Sequence, residues 1–262
     1  MKGCFVVFEG IDRAGKGVQL TELGKKLQAE NYKVVLTKEP TTNRPIGRLI
    51  RNVLYKDVKV SDEALALLFA ADRADHTKGK IIPALKKGAV VLSDRYVYSS
   101  LAYQGKGMSI FLNLEWLKII NRYAISPDIV VFLDIPPEVG LIRHKEGQQR
   151  VQDDAYFEDL IKQEKIRSVY YKILNLERTV KDLWEFQENK KKKKNKKIEV
   201  IKLNDTQVLR INGTLAKEEI HKEVYKFVKN YLEEKQVPLI KKIKPKAYKL
   251  IQFTNNAPKK ES

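Results

Sequence analysis

Seven residues near the start of the chain, Gly10-Ile11-Asp12-Arg13-Ala14-Gly15-Lys16, follow the pattern G-x-x-x-x-G-K. Such a pattern can bind a polyphosphate. Its glycines let the backbone wrap a diphosphate closely, successive N–H groups and a helix N-terminus favour negative charge, and the lysine ammonium reaches the β and γ oxygens. Gly10 to Gly17 is therefore the expected nucleoside-triphosphate loop. The hydroxyl that commonly follows the lysine as a Mg2+ ligand is replaced by Gly17. An ion here would need water and a nearby carboxylate, which suits Mg2+ because it keeps several waters and takes few protein ligands. Asp94, just past an apolar run, is the candidate carboxylate; a helix N-cap or a structural ion pair is the other reading of that residue.

Such a loop must join a strand to a helix, and its flanks supply both. Cys4-Phe5-Val6-Val7-Phe8 reads as a short buried strand, and Leu20, Leu23 and Leu27 set a helical period after the loop. Tyr32 to Thr37 predicts a second strand, with Pro40 marking the exit into a loop, and helices are expected around 46–55 and 62–86. Ala89 to Leu92 and Ile129 to Leu133 predict two further buried strands, which end at Asp94 and Asp134. A helix is expected from about Phe157 to Leu176. Ile198 to Leu203 and Val208 to Ile211 read as a hairpin, or the second of them as the last core strand, which is the favoured reading. Leu215 to Tyr231 predicts a closing amphipathic helix with Ile220, Val224, Phe227 and Val228 on one face. Alternating buried strands and helices imply an α/β fold of three layers, a mostly parallel sheet between helices, with ligands at the carboxyl ends of the strands.

Three separate segments carry a family resemblance. Phe8-Glu9-Gly10-Ile11-Asp12-Arg13-Ala14-Gly15-Lys16, then Leu68-Phe69-Ala70-Ala71-Asp72-Arg73-Ala74-Asp75-His76, then Asp94-Arg95-Tyr96 with Ser99-Ser100-Leu101-Ala102-Tyr103-Gln104-Gly105 resemble, in that order, the thymidylate kinases. Pro127-Asp128 and Leu133-Asp134 with Pro136-Pro137-Glu138-Val139 extend the likeness, which covers about residues 3–176 and the final helix. The resemblance implies a P-loop kinase that moves the γ-phosphate of ATP to dTMP, with Mg2+, as a homodimer. It implies that Arg73 and Arg95 hold the acceptor monophosphate with Arg51 as a third contact. Phe69 would stack on thymine while Ser100 and Gln104 read its edge. Asp12 would meet the sugar 3′-hydroxyl, Glu39 would line the acceptor pocket, and Tyr103 would sit against the deoxyribose. Lys16, Arg13, Asp94 and Arg95 are the expected catalytic set, Arg13 being the arginine inside the loop and Asp94 the organiser of metal and water. A lid at about 143–157 contributes Arg143 and Arg150, with Tyr156 where relatives often carry arginine. The attacking group is already an anionic phosphate oxygen, so no strong base is required. For Phe69 an ordinary core position, and for Arg143 and Arg150 solvated lid charge, are the competing readings; His76 and His144 receive no metal role.

Composition bounds the rest. At 262 residues and 43% apolar content the chain can bury a full core, with one main domain at 1–235. The formal charge of +18 is concentrated: Lys190 to Lys197 contributes +7 and residues 236–262 contribute +6, leaving +5 elsewhere. The first run lies in an expected insertion at about 177–197, read as a solvated segment, with nucleic-acid contact as the lesser alternative. The second, with Pro238, Pro245 and Pro258, reads as a tail without its own core. One cysteine, Cys4, excludes a disulfide framework within the chain. No apolar stretch reaches the ~20 residues of a bilayer span, and a cytoplasmic location is expected. Another nucleoside-monophosphate or deoxynucleoside kinase, or a binding protein whose activity has lapsed, are the alternatives to a dTMP kinase.

Overall fold

A computed structural model describes residues 2–105, 110–145, 153–176 and 197–240. The lysine run up to Lys196, most of the expected insertion, Arg150 and residues beyond 240 lie outside them. In chain order the elements are β1 (Cys4–Glu9), α1 (Lys16–Ala29), β2 (Val34–Lys38), α2 (Pro45–Leu54), α3 (Asp62–His76), a π-helical turn (Thr77–Ile81), α4 (Ile82–Lys86), β3 (Val90–Asp94), α5 (Val97–Gln104) and α6 (Ile110–Ile120). There follow β4 (Ile129–Asp134), α7 (Pro137–Lys145), α8 (Asp153–Ile173), β5 (Ile198–Leu203), β6 (Thr206–Asn212) and α9 (Lys217–Glu234).

The strands form one six-stranded sheet in the order β2-β3-β1-β4-β6-β5. Every pairing is parallel except the edge pair β5 and β6. Both readings of the last strands therefore hold: they make an antiparallel hairpin, and β6 also joins the core beside β4. Every residue of β1 and β4 is buried, as expected of strands covered on both faces. Helix α1 packs on α9 and on β1 to β3, while α5 packs on α3, α6 and α8.

The expected helix at 62–86 is interrupted. Pro83 has no N–H and crowds the preceding turn, and the chain passes through the π-helical turn before α4 begins. Helices α5, α6 and α7 were not foreseen as elements. The first residues of the expected tail pack onto the domain: Val237 is buried, and Ile240 N donates to Asn31 O at 2.7 Å. Among the described residues no helix is long and apolar enough to cross a membrane.

Register levels the carboxyl ends of three strands, because Asp94 of β3 lies opposite both Phe8 of β1 and Lys38 of β2. The loop, the Lys38-Glu39 exit and the Asp94-Arg95 pair consequently meet at one edge of the sheet.

Candidate active site

The loop between β1 and α1 is shaped by positive φ angles at Gly10 (143°), Arg13 (62°) and Gly15 (92°). At Gly10 a Cβ would come within 2.6 Å of Leu133 O, so a side chain is excluded by space as well as by conformation. Lys16 opens α1 and its ammonium turns back, donating to Gly10 O (3.1 Å) and Ile11 O (2.9 Å). Burial and the neighbouring Arg95 charge push its pKa down to about 8, against the opposing pull of Asp94, Asp12 and Glu9. Arg13 is exposed on the loop.

Arg95 follows β3 with φ 67°, a conformation that costs a residue with a Cβ some strain. It sends its guanidinium across the sheet edge. Nη2 donates to Asp12 Oδ1 (2.5 Å) and to the Tyr103 hydroxyl (3.1 Å), while Nη1 donates to Ser99 Oγ (3.0 Å) and Gly10 O (3.4 Å). Its guanidinium carbon also lies 4.7 Å from the Tyr103 ring centroid. Burial would raise the Asp12 carboxyl, but Arg95 and Lys16 outweigh it and the net shift is downward. Gln163 of α8 grips the same residue, donating from Nε2 to Asp12 Oδ2 (3.1 Å) and accepting from Asp12 N (3.4 Å).

Asp94 Oδ1 is buried with no hydrogen-bond partner, and its Oδ2 lies 3.6 Å from where a Cβ on Gly17 would stand. An orphaned carboxylate oxygen beside the missing hydroxyl fits an ion held mainly through water and phosphate oxygens. Among the described residues no group of three or more His, Cys, Asp and Glu is placed to hold a metal by itself.

A second cluster lies deeper. Arg73, 2% exposed, donates from Nε to Glu39 Oε2 (2.8 Å), from Nη2 to Ser100 Oγ (2.9 Å) and Tyr96 O (3.3 Å), and from Nη1 to Asn121 Oδ1. The structure thus groups Arg73 with Ser100 and Glu39 rather than with Arg95. Gln104, four residues along α5 from Ser100, has both amide atoms buried without a partner. Phe69 is half-buried and belongs to neither apolar core cluster of the described residues. Arg51 is turned onto the loop after β2, donating from Nη2 to Thr41 O (2.6 Å) and Thr42 O (2.7 Å). Arg143 donates to Arg13 O (3.2 Å) and Gly213 O (3.0 Å), which ties α7 to the phosphate loop. Arg150 lies outside the described residues.

Several contributors carried no role in the sequence. Glu9, fully buried, accepts from Tyr96 N (2.9 Å), Ser99 N (3.3 Å), Ser99 Oγ (2.6 Å) and the Tyr170 hydroxyl (2.9 Å). It thereby caps α5 from a neighbouring strand, where Tyr96 offers no side-chain cap. Burial raises its pKa, with Ser99, Arg95, Tyr170 and Lys16 pulling the other way. Asp72 accepts from Thr41 N (2.8 Å) and Thr41 Oγ1 (2.5 Å), fixing the loop that Arg51 also holds. Glu9 and Asp72 stand inside the matched segments, so their positions were marked although their contacts were not. Gln163 sits 151 residues from Asp12 and nothing local distinguishes it.

A glycine loop with a buried lysine at the strand ends, with Arg95 joining it to helix α5 beside a buried polar cluster, defines a phosphoryl-transferring, nucleotide-binding α/β enzyme. The family model for thymidylate kinase matches residues 8–183. The chain is 45% identical to a probable thymidylate kinase of Thermococcus kodakarensis over 181 residues, covering 66% of this chain and 84% of that protein. It is 32% identical to a thymidylate kinase of Halothermothrix orenii over 237 residues, covering 88% and 99%. With a thymidylate kinase of a Geobacillus species the identity is 40% over 178 residues, covering 66% and 83%. The chain belongs to the thymidylate kinase family.

Proposed function

We propose that the protein transfers the γ-phosphate of ATP to dTMP, giving dTDP and ADP in the supply of dTTP. The observation that carries this reading is Arg95, whose guanidinium bonds both the phosphate loop and helix α5 of the acceptor pocket. Transfer requires two polyanions held in line with their charge neutralised. An oxygen of the acceptor phosphate attacks Pγ, the bond from Pγ to the bridging oxygen breaks, and ADP leaves with that oxygen. Gly10 to Gly17 holds the donor phosphates. Lys16 exchanges the carbonyls of Gly10 and Ile11 for phosphate oxygens, and Arg13 and Arg95 face the transferring group. Arg143 steadies the loop, and Arg150 is assigned with it to the lid. Arg51 and Arg95 take the acceptor phosphate, Asp12 and Tyr103 the sugar, and Phe69, Arg73, Ser100, Gln104 and Glu39 the base end. This shifts Arg73 from the phosphate towards the base, because its guanidinium bonds Ser100. Mg2+, when bound, supplies further charge neutralisation at the β and γ phosphates, with Asp94 as its protein support.

The test is ADP formation by the purified protein with ATP and each acceptor in turn. Turnover with dTMP well above that with CMP, UMP or dGMP is expected, and equal turnover would remove the reading. A homodimer in the cytoplasm is part of the proposal. Leu49, Leu54, Tyr55 and Leu67 on and beside α2 and α3 are large, apolar and exposed, which supports a self-association face there. Light scattering should give twice the chain mass, reduced to the chain mass by Leu67→Glu.

A further inference from the structure

Behind the residues assigned to the base runs a buried chain of polar groups whose inner members, His76 and Thr37, no step above uses. His76 is fully buried. Its Nε2 meets Thr37 Oγ1 at 2.7 Å and its Nδ1 meets Glu39 Oε1 at 3.0 Å. The other oxygen of Glu39 accepts from Arg73 Nε, and Arg73 passes on to Ser100 and Asn121. Thr37 and Glu39 are themselves 4% and 5% exposed, so every link is closed to water. The sequence places His76 at the point where α3 gives way to the π-helical turn. That turn lets two consecutive residues face inward, His76 to Glu39 and Thr77 to the Tyr96 hydroxyl at 3.1 Å. Extra-residue turns of this kind often mark a functional site.

The hydrogen-bond directions follow from the groups. Glu39, paired with Arg73, accepts at both oxygens, so His76 Nδ1 carries the hydrogen. Arg73 can only donate, so Ser100 Oγ accepts from it. Gln104 supplies one acceptor and one donor, both unpartnered, and a free amide can turn over. Ser100 cannot reverse while Arg73 stays in place. The cluster therefore presents a guanidinium that can only donate, held on Ser100, beside an adjustable amide. That pattern matches a pyrimidine bearing two carbonyls about a ring N–H, and it conflicts with one bearing an exocyclic amine.

We infer that His76 is a positioning residue that sets pyrimidine specificity, by holding Glu39 and through it the Arg73–Ser100 pair in the orientation that selects a dioxo base over an amino base. The inference rests on the assignment of this pocket to a pyrimidine monophosphate.

Wild-type turnover with dTMP and dCMP is measured first. No preference for dTMP would remove the assignment of the pocket itself. Given that preference, His76→Ala is expected to lower the ratio of kcat/KM for dTMP over dCMP by about tenfold or more, the order expected for a lost hydrogen bond to a charged group. It should raise KM for dTMP and leave KM for ATP unchanged. An unchanged ratio would overturn the inference. Should His76→Ala fail to fold, His76→Asn and His76→Gln take its place. The asparagine amide reaches the position of Nδ1 and should keep the ratio, the glutamine amide reaches that of Nε2 and should lose it, and equal ratios overturn the inference. Nitrogen-15 shifts of histidine in the wild-type protein, assigned with His144→Gln and His221→Gln, should show hydrogen on Nδ1 of His76. Hydrogen on Nε2 alone would reverse the chain and end the proposal.

Discussion

Lys16 lies with its ammonium on the carbonyls of the loop that it serves, and this arrangement couples nucleotide binding to a proton. Its pKa is lowered to about 8, chiefly by burial. Phosphate oxygens favour the charged form, so binding near that pH takes up a proton and affinity falls as pH rises through about 8. Titration calorimetry in two buffers of different ionisation heat should detect the uptake, and Lys16→Arg should abolish it. Stability carries the opposite sign. The unfolded chain retains a proton that folded Lys16 has lost between about 8 and the ordinary lysine value, so the burial cost is present in full below this window and is relieved as pH rises across it. Gly17 yields a second expectation at this scale. A Cβ there meets Asp94 Oδ2 at 3.6 Å, an ordinary contact, so the hydroxyl of Gly17→Ser fits between the loop and the orphaned carboxylate. Activity dependent on dTMP should be preserved or raised and the half-saturating Mg2+ lowered; a marked loss would mean that this loop handles the ion differently. The position of Lys16, Asp12 and Arg95 about one loop was legible from the matched segments. The orientation of Arg73 was not, since a guanidinium on α3 faces Ser100 only because α5 is packed beside it.

Helix α5 shows what an element needs from outside itself. It is eight residues long, carries Ser99, Ser100, Tyr103 and Gln104, and begins at a residue that makes no side-chain cap. Its stabilising anion arrives from β1 as Glu9, locked by four donors. Glu9→Gln keeps the shape, but with its oxygen left on the two backbone N–H groups it turns an amide N–H₂ onto the Ser99 and Tyr170 hydroxyls, which lose the carboxylate oxygen that accepted from both. The expected loss is about 1–3 kcal/mol of stability, the range for an unsatisfied buried polar group, seen as a lower Tm. KM for dTMP should rise more than KM for ATP, because the acceptor side chains stand on the helix that loses its cap. Equal changes in both would mean that Glu9 supports the two sites alike. Strands β1 and β4 were readable from unbroken apolar runs because they are covered on both faces. Helix α5 was not readable, because its start is fixed by a residue 87 positions away from Tyr96 and its polar face is turned into a pocket.

At the scale of the molecule, the pairing order of the strands could not be read from local pattern, and one residue shows what joins the distant parts. Asp134, at the end of β4, accepts from Arg167 Nε of α8 (2.8 Å) and from Arg210 Nε and Nη2 of β6 (2.9 and 2.6 Å), with the Tyr171 hydroxyl as a further donor. Burial alone would raise its carboxyl, yet Arg167 and Arg210 hold it below the usual range. The same helix carries Gln163, one turn from Arg167, onto Asp12 of the phosphate loop. Asp134→Asn leaves two arginines facing each other across a neutral amide, and breaking a buried pair of this kind costs about 3 kcal/mol or more. The difference from wild type should be fully present above the unfolded aspartate value of about 4, and it should disappear as pH falls through the lower folded value, because protonated Asp134 no longer pairs. Denaturation across that acid range checks both magnitude and sign. KM for ATP should rise in parallel, since freeing α8 at Arg167 releases Gln163 from the loop; unchanged ATP kinetics with lost stability would confine Asp134 to holding β4, β6 and α8 together.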